Sequence, residues 1–304
     1  MPAVVSIVVV THRGVGELVR SCLTSIAESA TASTEWSTIV VDNSNGPVAR
    51  PEEYGPSVDH VVRVDNHGFG AAANAGFRVA LREPGGPVAV LNDDVVVGDR
   101  WLGPLVAALD DDAGLGAVQP ALVLRDSACI NSLGVDLDRY GAGSDRGLGG
   151  SVDDLGPASS IEVFTGGAVL FRRDFLEDTG GFDERYFLYY EDVDLALRGA
   201  ECGWRYRCET ASVVEHVGGA TTGDLGDDVI RLQERNRIWI AARFLPPTTV
   251  ARAVWLSVRR LRRAPHAAHA RALIAGLAGM PSSLVRRVTA RHRNGAAIVS
   301  ANGR

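Results

Sequence analysis

The first third of the chain alternates short apolar runs with longer stretches of helical periodicity, and few folds accept that rhythm. Val5 to Val10, Ser37 to Val41, Val58 to Val64 and Pro87 to Leu91 read as strands, while Gly16 to Ser29, Phe69 to Leu81 and Trp101 to Leu109 read as helices. Strands this apolar lack a wet face, so they call for a mostly parallel, Rossmann-like sheet flanked by helices on both sides. The class is α/β. The apolar run Val4 to Val10 is expected to be a buried strand rather than a leader, since no basic residue precedes it and no small-residue cleavage site follows. Parallel sheets bind ligands beyond the carboxyl ends of their strands, and polar residues gather there: Thr11, Asp42-Asn43 and Asn92-Asp93-Asp94.

Composition narrows the chemistry. A chain of 304 residues that is 46% hydrophobic can bury one large core, or one core and a smaller appendage. Cys22, Cys129, Cys202 and Cys208 are scattered without zinc-ligand spacing, which implies reduced thiols and a cytoplasmic setting. All 37 acidic residues lie at or before Glu234, and 14 of the 31 basic residues follow it, so a segment of net −20 precedes a tail of net +14. Every basic residue is arginine. Without lysine there is no P-loop and no phosphate-binding lysine.

Each polar cluster admits a plain reading beside a functional one. Asp42, at the end of Ile39-Val40-Val41, can cap its own Asn43-Ser44-Asn45-Gly46 turn or accept from a ribose or base N–H. The segment from Asn66 through Gly68 to Asn74 and Gly76 places small residues at a helix start, which suits close approach of phosphate or tight packing on a sheet. Two adjacent carboxylates, Asp93 and Asp94, at the end of a buried strand repel each other and lose solvation unless a cation is near; a solvated turn is the alternative. Magnesium or manganese would share such carboxylates with substrate phosphates. Downstream, aromatics in Phe187-Leu188-Tyr189-Tyr190 precede Glu191-Asp192 at the start of a helix. The helix dipole favours carboxylates there, which accounts for one of them. Asp192 can then act as general base on an acceptor hydroxyl. His216, between Val213-Val214 and Gly218-Gly219, reads as a satisfied strand-end histidine or a ligand.

In order along the chain, Ser6-Ile7-Val8-Val9-Val10-Thr11, Val41-Asp42-Asn43-Ser44, Asn66-x-Gly68-Phe69-Gly70 with Asn74, Asn92-Asp93-Asp94, Thr165-Gly166-Gly167, Gly181-Phe182-Asp183-Glu184 and Glu191-Asp192-Val193-Asp194-Leu195 resemble glycosyltransferase family 2. Within that family the series is most similar to bacterial rhamnosyltransferase-like enzymes, over about residues 4 to 240. The resemblance implies a GT-A fold, a divalent metal (Mg or Mn) and inverting transfer from a dTDP- or UDP-sugar to a glycan or polyprenyl-linked acceptor. By that resemblance Thr11 and Asp42, with Asn43, Asn66, Gly68, Asn74 and Asn92, would hold the nucleotide sugar. Asp94 would bind metal and diphosphate with Asp93 in support, Gly166-Gly167 would line a phosphate or the acceptor, and Asp192, beside Glu191, would be the base. His216 matches a histidine that joins the metal site in several relatives, and Arg235 and Arg237 would lie near the diphosphate. The metal motif departs from the family pattern by reading Asn-Asp-Asp, and the segment Gly141 to Gly156, with six glycines, has no assigned counterpart.

The expected organisation is a catalytic domain over 1–243, its nucleotide half about 1–120 and its acceptor half about 121–243, then a basic helical extension over 244–304. In that extension Val254, Val258 and Leu261 recur at helical spacing among arginines, and the apolar run Ala267 to Met280 is too short to span a bilayer. Residues 251–293 suit either an anionic membrane surface on the inner face of the plasma membrane or the acidic catalytic part itself. Nucleic acid is not an expected partner, as aromatics other than Trp255 are missing from the basic stretch, and a homodimer stays open. A sugar nucleotidylyltransferase is disfavoured by the missing lysines. A non-catalytic paralogue would have no need of Asp94, Asp192 and His216 together.

Overall fold

The computed structural model describes residues 4–29, 35–47, 49–82, 84–217, 226–263 and 267–301, with side chains as far as residue 287. Two compact units emerge, one of Met1–Asp136 with Asp145–Ala220 and one of Leu137–Ser144 with Thr221–Arg304.

The first unit carries the expected βαβ rhythm. β1 (Val5–Thr11) leads through α1 (Glu17–Glu28) to β2 (Trp36–Asp42), and a helical turn α2 (Pro51–Tyr54) precedes β3 (His60–Arg63). α3 (Phe69–Ala80) returns the chain to β4 (Val88–Asn92), which is followed by β5 (Val95–Val97), α4 (Leu102–Asp111) and the long β6 (Leu115–Leu124). Short strands β7 (Ile130–Ser132) and β10 (Ser159–Ile161) come next, with β8 (Val135–Leu137) and β9 (Gly143–Asp145) between them straddling the boundaries of Leu137–Ser144, which belongs to the second unit. β11 (Ala168–Phe171), α5 (Arg173–Thr179), α6 (Glu191–Glu201) and β12 (Arg205–His216) complete the unit.

The main sheet runs β10-β12-β6-β11-β4-β1-β2-β3. β4, β1, β2 and β3 are parallel, as their apolar sequences require, and β12 is parallel to β6. β11 is antiparallel to both β4 and β6, so the sheet is mixed beyond β4. The reason is local. Asn92 at the end of β4 donates its N–H to Gly167 O (3.0 Å), so the chain enters β11 where β4 ends and must run back along it. That reversal also carries Gly166-Gly167 to the strand ends.

Both sheet faces are covered. Ile7, Val9, Ala89 and Leu91 pack with Leu23 and Ile26 of α1 and Leu105 of α4 in one buried cluster, each large side chain contributing about 1.5–3 kcal/mol by leaving water. On α3, a methyl at Gly76 would meet Val8 Cγ1 at 2.3 Å, and Ala72, Ala73 and Ala75 are buried. The packing reading of this small-residue stretch is therefore realised: helix and sheet approach too closely for anything larger. Phe171 anchors an aromatic group with Phe77, Phe164, Phe175 and Phe182 at centroid separations of 5.2–6.2 Å.

The second unit contains α7 (Asp227–Phe244), α8 (Pro247–Arg263) and α9 (Ala267–Ala301). α7 clusters here, whereas the sequence reading ends the catalytic domain at residue 243. Ion pairing explains the assignment. Arg237, 3% exposed, donates to Glu234 Oε1 (2.9 Å), Ala253 O (3.1 Å) and Ser257 Oγ (2.7 Å), and Arg260 reaches Glu234 Oε2 (2.8 Å). Burial alone would raise the Glu234 carboxyl, but the Arg237 guanidinium and its neighbours outweigh it and hold the group low. A charge so enclosed is tolerable only because it is fully paired.

Candidate active site

The strand ends place the first group of polar residues side by side. Thr11 is in register with Asp42, and Val10 with Asn92, across three parallel strands. Thr11 Oγ1 donates to Asp93 Oδ2 (2.6 Å). Asp42 accepts from Ser44 N–H (2.8 Å), Tyr54 Oη (2.8 Å) and Arg63 Nη1 (2.8 Å). Although burial pushes the Asp42 carboxyl up, these donors outweigh it and hold the group below its usual range. Asp42 thus anchors its own turn as the plain reading holds, and of about four lone-pair positions it keeps roughly one for a ligand N–H or hydroxyl. Asn43 Nδ2 reaches Asn66 Oδ1 (3.4 Å), which also accepts Gly68 N–H (3.1 Å), so these three form one linked edge. The buried Asn43 Oδ1 has no hydrogen-bond partner among the described residues.

Asp93 and Asp94 are each 5% exposed. Burial and the neighbouring Asp94 charge push Asp93 upward despite the Thr11 hydroxyl. Asp94 Oδ1 lies 3.2 Å from His216 Nε2, close enough for charge pairing but without the alignment of a hydrogen bond. His216 Nδ1 is 3.0 Å from Asn131 Oδ1. With Asn131 accepting, Nδ1 carries the proton, and the Nε2 edge of the ring lies beside a carboxylate oxygen. Two acceptors at that distance need a proton or a cation between them. Burial lowers the tendency of His216 to ionise, and Asp94 more than restores it. The residues therefore fit a divalent cation, with Asp94 and His216 as the protein donors and phosphate or water completing the shell. No cluster of three or more metal-ligating side chains occurs among the described residues, so a cation here would need such outside ligands.

The second carboxylate group reaches the same place through the glycines. Gly166 N–H donates to Asp192 Oδ2 (3.0 Å), Val193 N–H to Asp192 Oδ1 (2.8 Å), and Thr165 N–H to Gln119 Oε1 (3.0 Å). Gly167 O already holds Asn92 N–H, so Thr165-Gly166-Gly167 bridges the β4 end to the first turn of α6. Glu191 is 6% exposed and its Oε2 lacks a partner. Burial pushes both carboxyls up. The Gly166 and Val193 N–H groups favour the charged form of Asp192, whereas Glu191 is helped only by its own N–H, so the negative charge of the pair favours Asp192. Asp194 is structural, ion-paired to Arg198 Nε at 2.7 Å.

Backbone strain sets the approach to this pair. Phe187, Tyr189 and Tyr190 take positive φ of 66°, 66° and 69°, a region costing about 1–3 kcal/mol for side chains of this kind. Phe187 O accepts Phe69 N–H (2.9 Å), and a methyl at Gly68, whose φ is +96°, would fall 1.9 Å from that oxygen. Gly68→Ala is accordingly expected to displace the loop that presents Glu191-Asp192, lowering the melting temperature by several degrees, as a loss of about 1–3 kcal/mol does, together with turnover. Gly103→Ala on α4, where no atom lies within 4 Å of the added methyl, should leave both unchanged or slightly raise stability. Equal melting curves for wild type and Gly68→Ala would contradict this account.

Other expected residues have structural partners of their own. Asn74 is committed to α3 packing, its Nδ2 on Phe182 O (2.9 Å) and its Oδ1 on Phe182 N–H (2.9 Å). Arg237 is enclosed in the second unit as described, and Arg235 stacks on Trp239 with 4.4 Å to the ring centroid, its Nε on Asn236 Oδ1 (2.7 Å). The glycine-rich segment from 145 onward is strapped down, with Ile130 N–H on Gly150 O (2.8 Å) and Gly149 N–H on Ile130 O (2.9 Å). Its Asp145 adds negative charge felt by both His216 and Asp192. Gly218-Gly219 lie outside the described residues. Asn131 and Asp145 have no local sequence signal; they matter only through the strand pairing that brings them to His216.

A family model described as Glycosyl transferase family 2 matches residues 6–180, more than half of the chain. The chain is 28% identical over 236 residues to the N-acetylglucosaminyl-diphospho-decaprenol L-rhamnosyltransferase of Mycobacterium tuberculosis, covering 68% of this chain and 75% of that protein. It is 30% identical over 185 residues to the pre-mycofactocin glycosyltransferase of the same organism, covering 59% of this chain and 36% of that protein. Among solved structures it is similar to GalNAc-T7 with UDP, GalNAc and Mn2+ (TM-score 0.61, 14% identity, 86% of this chain), of which it spans 51%. It is also similar to a mannosyltransferase of Pyrobaculum calidifontis with GDP-Man and Mn2+ (TM-score 0.56, 18% identity, 97% of this chain and 87% of that one). These likenesses give the fold, a mixed α/β GT-A architecture followed by helices.

Proposed function

Because the chain belongs to glycosyl transferase family 2, and is a glycosyltransferase, we propose that it transfers a sugar with inversion from a nucleoside diphosphate donor to a hydroxyl of a lipid-linked glycan. The observation that carries this reading is the glycine bridge. Through Gly167 and Gly166 the β4 end, with Asn92-Asp93-Asp94, and the carboxylate of Asp192 belong to one hydrogen-bonded assembly. Donor and base are thus offered to each other without an intervening flexible segment.

In this reading Thr11, Asp42, Asn43 and Asn66 line the nucleotide edge at the strand ends. Asp94 and His216 would hold magnesium or manganese, and Asp93, fixed by Thr11, would support them. A divalent ion there would neutralise charge developing on the departing diphosphate, in place of a general acid. Asp192 accepts the proton of the acceptor hydroxyl as its oxygen bonds to the anomeric carbon and the bond from that carbon to the diphosphate breaks. Gly166 N–H orients Asp192 rather than a phosphate. Protonated Glu191 keeps a second negative charge away from the base.

Rhamnose is the proposed sugar, on the strength of the rhamnosyltransferase relative, whose decaprenol-linked substrate also suggests a polyprenyl-linked acceptor. A thermal-shift screen of dTDP-, UDP- and GDP-sugars with manganese tests the donor. A ligand bound only by the folded state raises stability by RT ln(1 + [L]/Kd), about 2.7 kcal/mol at a hundredfold excess over Kd. We expect dTDP-rhamnose to give the largest shift, and no shift with any donor would remove the transferase reading of this site.

A further inference from the structure

Among the described residues no helix is long and apolar enough to cross a membrane, yet α9 exposes a stripe that water does not favour. Ile274 is 70% exposed, Leu277 40%, Leu284 41% and Val285 65%. Their spacing, with exposed Pro281 between, follows one face of the helix over roughly 18 Å at 1.5 Å per residue. Arg271 and Arg286 bound the stripe, and both are exposed. α8 repeats the chemistry on its own outer face, where Trp255 is 56% exposed between Arg252 and Arg259, with the Arg259 guanidinium 5.5 Å from the Trp255 ring centroid. The expected apolar stripe of α8 is by contrast half-buried: Val254, Val258 and Leu261 pack inward, leaving tryptophan and arginine outside.

We infer that the outer face of α9, assisted by Trp255 and its arginines, docks on an anionic lipid surface, lying in the interface rather than spanning it. Charge selects this occupant. On α8 and α9 Arg252, Arg259, Arg262, Arg263, Arg271 and Arg286 are exposed, and neither helix carries an acidic residue. A second copy would bring the same positive charge against the first, whereas anionic headgroups neutralise it while Ile274, Leu277 and Val285 enter the acyl boundary. Snorkelling arginine stems suit the same boundary. The inference goes beyond the transferase reading and does not rest on it, since lipid binding is read without donor or acceptor.

Flotation of the full chain with phosphatidylcholine vesicles, with and without phosphatidylglycerol, tests the surface. The chain should float with the anionic vesicles, and should do so less as salt is raised. Ile274→Glu with Val285→Glu should weaken binding by about tenfold or more, through lost apolar insertion and added repulsion. Both positions are exposed, so the melting temperature should not change. If that variant does unfold, Arg252→Ser with Arg271→Ser reads the electrostatic half and should weaken binding to the anionic vesicles by about fivefold or more. Failure of the full chain to float, or binding that neither variant changes, overturns the inference. So does a wild-type dimer that Ile274→Glu with Val285→Glu converts to a monomer without any vesicle binding, which would give the face to a second copy.

Discussion

Asp192→Asn should lower turnover by about 100-fold or more, the upper range for a general base, while leaving nucleotide-sugar affinity within a small factor of wild type. The amide keeps the shape of the carboxylate, and its oxygen can still accept Gly166 N–H, so the β4-to-α6 bridge survives; proton acceptance is lost, together with the acceptor for Val193 N–H within the same helix turn. The pH profile provides a second readout. Burial raises Asp192, aided by Asp145, against the pull of the Gly166 and Val193 N–H groups. A base with a raised pKa is active above that pKa and inactive below it, so kcat/KM should fall on the acid side at a pH above the ordinary carboxylate range. Asp192→Asn should abolish that limb. Glu191→Gln, by contrast, replaces a carboxyl that burial pushes toward its protonated form and should cost far less. Wild-type turnover in Asp192→Asn would remove Asp192 as the base.

The contrast between Asp192 and Glu191 marks where sequence reasoning reaches its end. Polar residues at the ends of apolar strands are legible because a parallel sheet leaves no other place for them, and Thr11 pairs with Asp42 while Asn92 pairs with the preceding Val10, all at the carboxyl ends. Which member of an adjacent acidic pair ionises is not legible. That depends on donors from Gly166 and Val193, and the Gly166 contact arises only when β11 is inserted antiparallel beside β4. His216 is similar: its spacing in the chain is informative, but Asn131 comes to it through sheet pairing from 85 residues away. Aromatic residues usually avoid positive φ, so nothing local announces the strained approach at Phe187, Tyr189 and Tyr190. Asn74 and Arg237 show a different limit. Polar types in suggestive positions are taken up by the fold's own needs, Asn74 by the Phe182 backbone and Arg237 by Glu234.

Asp94→Ala should weaken donor binding in manganese by about tenfold or more and abolish the difference between manganese and chelator. The argument is electrostatic. Asp94 Oδ1 is buried, has no hydrogen bond, and faces the His216 ring nitrogen at 3.2 Å. Leaving a charged oxygen so placed costs free energy that a cation recovers, and a diphosphate needs the same cation to approach a strand end that already carries Asp93 and Asp94. With alanine at 94 the protein loses one donor and half the local negative charge, and a divalent ion no longer has a reason to bind ahead of solvent. Asp94→Asn separates charge from geometry: it keeps an oxygen at the site but should retain little metal dependence, because hard cations favour charged oxygen. His216→Ala should give a smaller loss, as a neutral donor leaves the carboxylate in place. Calorimetric titration of the donor with manganese and with chelator compares the four proteins, and equal wild-type affinity in both conditions would defeat the cation reading. In that event the pairing of Asp94 with His216 would be a proton-filled contact, and stabilisation of the leaving diphosphate would have to come from other groups.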